Sequence, residues 1–97
     1  MSNKARRIDD PRLLAFEVLA EVELQGAYSN LILPRALTES SLEANDRTFA
    51  TELVYGTLRM QGRHDHFISA ASDRSLEHID PKALLVLRLG THQLKQM

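Results

Sequence analysis

The sequence has 97 residues, 43% of them hydrophobic before glycine is counted, and a formal net charge of −1. That length fits one domain at most and buries only about 60–65% of the unfolded surface, so modest stability is expected. The absence of cysteine excludes disulfides and thiolate metal sites, the hydrophobic content argues against disorder, and the near-neutral charge argues against a protein that is basic all over.

The opening residues, Met1-Ser2-Asn3-Lys4-Ala5-Arg6-Arg7, carry positive charge with no apolar core behind it, so they do not read as a signal peptide. No apolar run approaches the roughly 20 residues that span a bilayer. A soluble cytoplasmic protein with no membrane partner is the expectation. The charge is unevenly placed: Lys4, Arg6 and Arg7 precede any acid, and Arg12 follows shortly. Such a start is either a solvated tail or an arm that contacts phosphates.

Asp10-Pro11 opens the first predicted helix, Asp capping free amides and Pro occupying a first position where its missing N–H costs nothing. Ala15, Val18, Leu19 and Val22 share one face; Leu13, Phe16 and Ala20 extend it, so this helix is expected to be buried on two sides. Gly26 suits the left-handed stop. Ser29 or Asn30 can cap a short second helix through Leu31, Leu33, Ala36 and Leu37. Pro34 then implies either a 3₁₀-like first turn or a later start, and Thr38-Glu39-Ser40-Ser41 reads as a loop.

A third helix is expected from Asn45 or Asp46, with Phe49, Ala50, Leu53, Val54 and Leu58 as its apolar positions and Gly62 as its close. Gly56 sits inside it at a cost of roughly 1 kcal/mol relative to Ala, and the usual reason to keep such a glycine is close approach of another helix. A fourth helix is expected at about Arg63 to Ala71. Asp80-Pro81 opens a fifth, carrying Ala83, Leu84, Leu85, Leu87, Leu89 and Leu94 and running to the end of the sequence. With no strand alternation and no internal repeat, the expected product is an all-α bundle of about five helices with short connections.

Little in the pattern suggests catalysis. His64 and His66 diverge by about 200° on a helix, His78 and His92 have no neighbouring ligand in sequence, and exposed or capping histidines are expected rather than a metal site. No Gly-x-Ser-x-Gly elbow occurs, and the isolated glycines form no phosphate-cradling loop. Asp46, Glu52 and Asp65 read as caps or salt-bridge partners. The scattered aromatics read as core rather than as a base-stacking platform.

Three strings carry more information: Ala27-Tyr28-Ser29-Asn30-Leu31-Ile32-Leu33, the ungapped Asp46-Arg47-Thr48-Phe49-Ala50-Thr51-Glu52-Leu53-Val54-Tyr55-Gly56-Thr57-Leu58-Arg59, and Leu87-Arg88-Leu89-Gly90-Thr91-His92-Gln93-Leu94. With Arg12-x-x-Ala15-x-x-Val18-Leu19-x-x-Val22, they resemble the NusB-like N-terminal domain of Sun/RsmB-type ribosomal RNA (cytosine-C5) methyltransferases, over nearly the whole chain. The fold of that domain is similar to the transcription antitermination factor NusB, which binds RNA and a ribosomal protein. The Tyr28-Ser29-Asn30 turn and the Gly56–Arg59 ending look more like the methyltransferase branch.

The resemblance implies an all-α, NusB-like bundle of two packed helical subdomains, with the domain's last helices and the catalytic domain absent from residues 1–97. The methyl donor S-adenosylmethionine and a cysteine nucleophile are expected in that missing domain, and no cofactor in this segment. The implied function is an accessory domain positioning ribosomal RNA for methylation; the alternative is an antitermination factor engaging RNA and a ribosomal protein. By position, Arg12 matches the arginines through which the family contacts RNA at the start of its first helix, and Lys4, Arg6 and Arg7 match only as a basic leader. Arg59 is expected to be structural, pairing with Glu52 or Asp65. If the fifth helix lacks packing partners, Leu84, Leu85, Leu87 and Leu94 need cover, and a homodimer is expected.

Overall fold

The computed structural model describes residues 7–97 and places five α-helices and one 3₁₀ turn in them: α1 (Pro11–Gln25), α2 (Ser29–Glu39), α3 (Ala44–Arg59), α4 (Gln61–Ser72), the turn Leu76–His78, and α5 (Pro81–Gln96). The expected all-α class holds. Two of the helix starts are set as the sequence suggests. Asp10 accepts from the amides of Arg12 (2.9 Å) and Leu13 (3.4 Å), and Asp80 accepts from Lys82 and Ala83, both at 3.1 Å. Each side chain satisfies amides that the first helical turn leaves without partners. Gly26 ends α1 at φ 74°, a left-handed conformation that costs glycine nothing.

α1 lies at the centre. Its Leu14, Ala15, Val18 and Leu19 are buried, and it packs on α2, α3 and α5. Leu33 of α2, Leu42 of the following loop, Ala50, Leu53 and Val54 of α3, and Leu85 and Leu89 of α5 complete one apolar cluster. Burial of this kind supplies most of the folding free energy, at about 25 cal/mol per Å² of apolar surface. α4 contributes Ile68 and His64 as its buried residues, and Ile68 lies outside the main cluster. Polar side chains join α4 to α5, as described below.

Several boundaries differ from the sequence reading. α2 begins at Ser29 with Tyr28 at its cap position and no side-chain cap. The Tyr28 carbonyl accepts from both Leu31 and Ile32 at 3.0 Å, so the first turn does contain a 3₁₀-type bond. Pro34 then sits inside the helix, where no amide is available for the Asn30 carbonyl. Thr38 and Glu39 are helical rather than loop. The Leu37 carbonyl holds that end together, accepting from the Ser40 amide (3.2 Å), the Ser40 hydroxyl (2.7 Å) and Arg47 Nη1 (2.7 Å).

α3 starts at Ala44, after Glu43, and Asp46 lies in its first turn, where its charge suits the helix dipole. The break between α3 and α4 falls at Met60 rather than Gly62. The Met60 amide turns back onto the carbonyls of Gly56 and Leu58, a closure that needs no left-handed residue, so Gly62 remains an ordinary position of α4. Asp73 ends α4 at φ 55°, a conformation that short polar side chains tolerate. The Leu76–His78 turn was not foreseen.

α5 departs most from the leucine pattern. Its buried positions are Leu85, Arg88, Leu89, Thr91 and His92. Leu85 is in the core and Leu84 is half-buried, whereas Leu87 and Leu94 are 43% and 84% exposed. The inward stripe 85, 88, 89, 92 keeps the i, i+3, i+4, i+7 rhythm of a packed helix, but Arg and His occupy two of its places. None of the described helices is long and apolar enough to cross a membrane.

Candidate nucleic-acid interface

Of the four cations singled out in the sequence, Lys4 and Arg6 lie outside the described residues. Arg7 is exposed in the segment before α1. That segment is fixed one residue later, where the Ile8 carbonyl accepts from the Ser41 amide (3.0 Å) and hydroxyl (3.4 Å). Arg12 is exposed but not a free arm. Its Nε donates to Gln93 Oε1 of α5 at 2.7 Å, and its guanidinium carbon lies 4.9 Å from the centre of the Phe49 ring of α3. A cation over an aromatic face adds roughly 0.5–1 kcal/mol at an exposed site. Arg12 therefore ties three helices together while staying accessible, and a guanidinium already held in place gives up less freedom when it meets a phosphate.

The surroundings of this arm are of mixed sign. A cleft of about 520 Å³ beside it is lined by Asp9, Glu43 and Asp46 together with Ser41 and Asn45. Arg7 precedes α1 and Arg12 lies in its first turn, with Asp9 and Asp10 between them in the chain, and these carboxylates weaken the field a phosphate would meet.

A second polar centre was missed by the sequence reading. His66 and His78 are exposed as expected, but His64 and His92 are 2% and 0% exposed, neither surface nor capping residues. His64 Nε2 and His92 Nδ1 are 3.1 Å apart, and His92 Nε2 is 3.4 Å from Glu52 Oε2. A carboxylate only accepts, so His92 carries its proton on Nε2 and accepts at Nδ1. His64 then donates from Nε2. Glu52 also faces Arg59 Nη2 at 3.7 Å, as expected for Arg59, although both side chains are largely exposed and the pair contributes little. Asp65 is committed elsewhere: it grips buried Arg88 of α5 through two bonds, 2.7 and 2.9 Å long, while Glu23 of α1 approaches Arg88 Nη1 at 3.8 Å. A buried guanidinium requires such pairing, since removing one partner costs about 3–5 kcal/mol.

Gly56 makes the histidine contact possible. A Cβ built there would lie 2.3 Å from His92 Nε2, 2.5 Å from its Cε1 and 2.7 Å from Glu52 Oε2. The expected close approach is real, and its agent is one imidazole from α5. Gly56 inside α3, and Arg88 and His92 at core spacing with Leu85 and Leu89, were the available signals. Among the described residues, no group of three or more His, Cys, Asp or Glu side chains could hold a metal ion.

Burial, and then the neighbouring His92, hold His64 below its ordinary pKa of 6.5, with Asp65 opposing and Lys95 reinforcing the shift. Above pH 6.5 the folded and unfolded chains both keep this ring neutral. Below it the unfolded chain takes up a proton that the folded chain resists, so stability falls as pH drops from 6.5 toward the lowered folded value and then levels off for this group. Urea midpoints measured from pH 7.5 to pH 5 should fall through that window, and His64→Gln should flatten this part of the profile. Gly56→Ala should lower stability by about 1–3 kcal/mol, because the buried His92 ring has to move. Adding His92→Ala should recover part of that loss in the same denaturation measurement.

The comparisons with known proteins agree with this architecture. The family model described as "NusB family" matches residues 9–97. A Mycobacterium tuberculosis protein named "Putative methyltransferase" is 47% identical over 91 residues, which is 94% of this chain and 20% of that protein. The ribosomal RNA small subunit methyltransferase B of Thermus thermophilus is 42% identical over 84 residues, covering 87% of this chain and 21% of its own length. The transcription antitermination protein NusB of Shewanella woodyi is 30% identical over 83 residues, or 86% of this chain and 62% of that protein. The chain spans about a fifth of the length of these methyltransferases. No solved structure matches it. By its helices and by this match over nearly its whole length, the chain belongs to the NusB family.

Proposed function

We propose that this chain is an RNA-binding accessory domain of an S-adenosylmethionine-dependent ribosomal RNA cytosine-C5 methyltransferase, and that it positions ribosomal RNA for a catalytic domain elsewhere in the parent protein. The observation that carries the reading is the likeness to methyltransferases at 47% and 42% identity, in each case over about a fifth of the relative. On this reading the catalytic domain lies in the remainder of the parent protein and this helical module captures its substrate. Arg7 and Arg12 at the start of α1 supply exposed positive charge for it, with Lys4 and Arg6 of the preceding leader as further contacts. Phosphate contacts position a nucleic acid without reading its sequence. Cytoplasmic residence, where ribosomal RNA is modified, belongs to the same proposal.

One observation favours a second reading, an antitermination factor that engages RNA and a ribosomal protein: the chain spans 62% of the Shewanella woodyi NusB protein. A pull-down from cell extract separates the two, since recovery of a ribosomal protein without RNA favours the second. A homodimer through α5 is also part of the proposal, resting on the exposed Val86 and Leu87 rather than on Leu85, which is in the core. Light scattering of a concentrated solution should give twice the monomer mass, and a strictly monomeric mass would contradict it.

The RNA reading is tested by fluorescence anisotropy with a ribosomal RNA fragment. Arg7→Ala with Arg12→Ala should weaken binding about tenfold and lower the slope of log affinity against log salt by about 1.4–1.8, the change expected from two lost phosphate contacts. Unchanged affinity and slope would remove these residues from the interface.

A further inference from the structure

The last turn of α5 and the first turn of α4 border an open groove of about 440 Å³ lined by Arg63, His64, Leu94, Lys95 and Gln96. No carboxylate lines it, in contrast to the cleft beside α1 with its three acids. Neither Arg63 nor Lys95 is in an ion pair among the described residues, whereas Arg59 and Arg88 are both committed to carboxylates. Lys95 is held in place by the Phe67 ring, its Nζ lying 4.5 Å from the ring centre. The geometry points to this groove as a second contact site for the phosphodiester backbone of RNA, separate from the arm at the start of α1. The inference rests on reading the chain as an RNA-binding domain.

His64 is the wall of the groove that makes it more than two surface cations. The ring is 2% exposed and its Nε2 is engaged with His92, so Nδ1 is the nitrogen left for a ligand. In the neutral tautomer described above, Nδ1 carries no proton. A phosphate oxygen accepts only, and its approach therefore favours a proton on Nδ1. The groups facing this ring are Asp65 and Arg63 on α4, His92 and Lys95 on α5, and Glu52 on α3 by way of His92. Lys95 works against that proton in the free chain, and a bound phosphate would offset Lys95. RNA contact at the groove is thus coupled to proton uptake at a residue that reaches, through His92 and Glu52, to α3.

The test follows the His64 ring by nitrogen-15 NMR at low salt, titrating a single-stranded ribosomal RNA fragment and, separately, inorganic phosphate into the 97-residue chain and into Arg63→Gln with Lys95→Gln. The expected result is an RNA-dependent shift of His64 Nδ1 toward the protonated position. The double variant should lose that shift and bind RNA about tenfold more weakly, with its thermal midpoint little changed because both side chains are exposed. Movement of His64 by inorganic phosphate alone, with no response to RNA, would overturn the assignment to an RNA backbone. So would an RNA shift that persists in the double variant, or no shift with either ligand. Total RNA affinity measured in the same titration reports on the functional reading independently: RNA that binds without moving His64 defeats the groove alone.

Discussion

The seat of α5 depends on one missing side chain. Gly56 leaves a gap on α3 into which the His92 imidazole fits, with atoms that a Cβ would place at 2.3 and 2.5 Å. From that position His92 meets His64 of α4 and Glu52 of α3, so a single residue bonds two helices besides its own. Four positions earlier on the same face, Arg88 takes hold of Asp65. One position later, Gln93 reaches Arg12 at the start of α1. The register of α5 therefore sets how α4 is attached and where the Arg12 guanidinium is held. A buried polar network of this kind demands that every partner be in place, which favours one arrangement of α5 over others that would bury its leucines equally well.

Much of the fold was legible because its signals are local. The two Asp-Pro openings and Gly26 act through amides and carbonyls within a few residues, and the stripe Ala15, Val18, Leu19 sits on a helix whose partners are apolar. What was not legible depends on distant residues or on backbone closure. The Met60 break needs no glycine because its amide finds two carbonyls. α5 misled because only two of its five leucines, Leu85 and Leu89, are buried: Leu87 and Leu94 face outward while Arg88 and His92, which look like surface residues in sequence, turn inward. His92 meets His64 from 28 residues away, and no rule of spacing on one helix reveals such a pair. The exposure of Arg7 and Arg12 followed from their place before the apolar stripe, but the contact between Arg12 and Gln93 spans 81 residues and could not be read from it.

The same arrangement divides the surface by charge. Carboxylates gather where the chain before α1 meets the start of α3, while the cleft between the start of α4 and the end of α5 is lined by cations and one buried histidine. A near-neutral chain can bind a polyanion in this way, because association depends on the local field rather than on net charge. Gln93 and Lys95 lie two residues apart on α5, about 200° around the helix, so the Arg12 site and the groove occupy different sides of it.

The RNA contacts proposed for this NusB-family chain, both to the phosphodiester backbone, lie at the start of α1 and beside the end of α5. Ultraviolet cross-linking of a bound ribosomal RNA fragment, with the attached peptides mapped by mass spectrometry, locates the contact without altering any residue. The account predicts adducts at residues 7–12 and in the peptides containing Arg63 and Lys95, diminishing as salt is raised. Adducts confined to α2, or a pattern indifferent to salt, would contradict it.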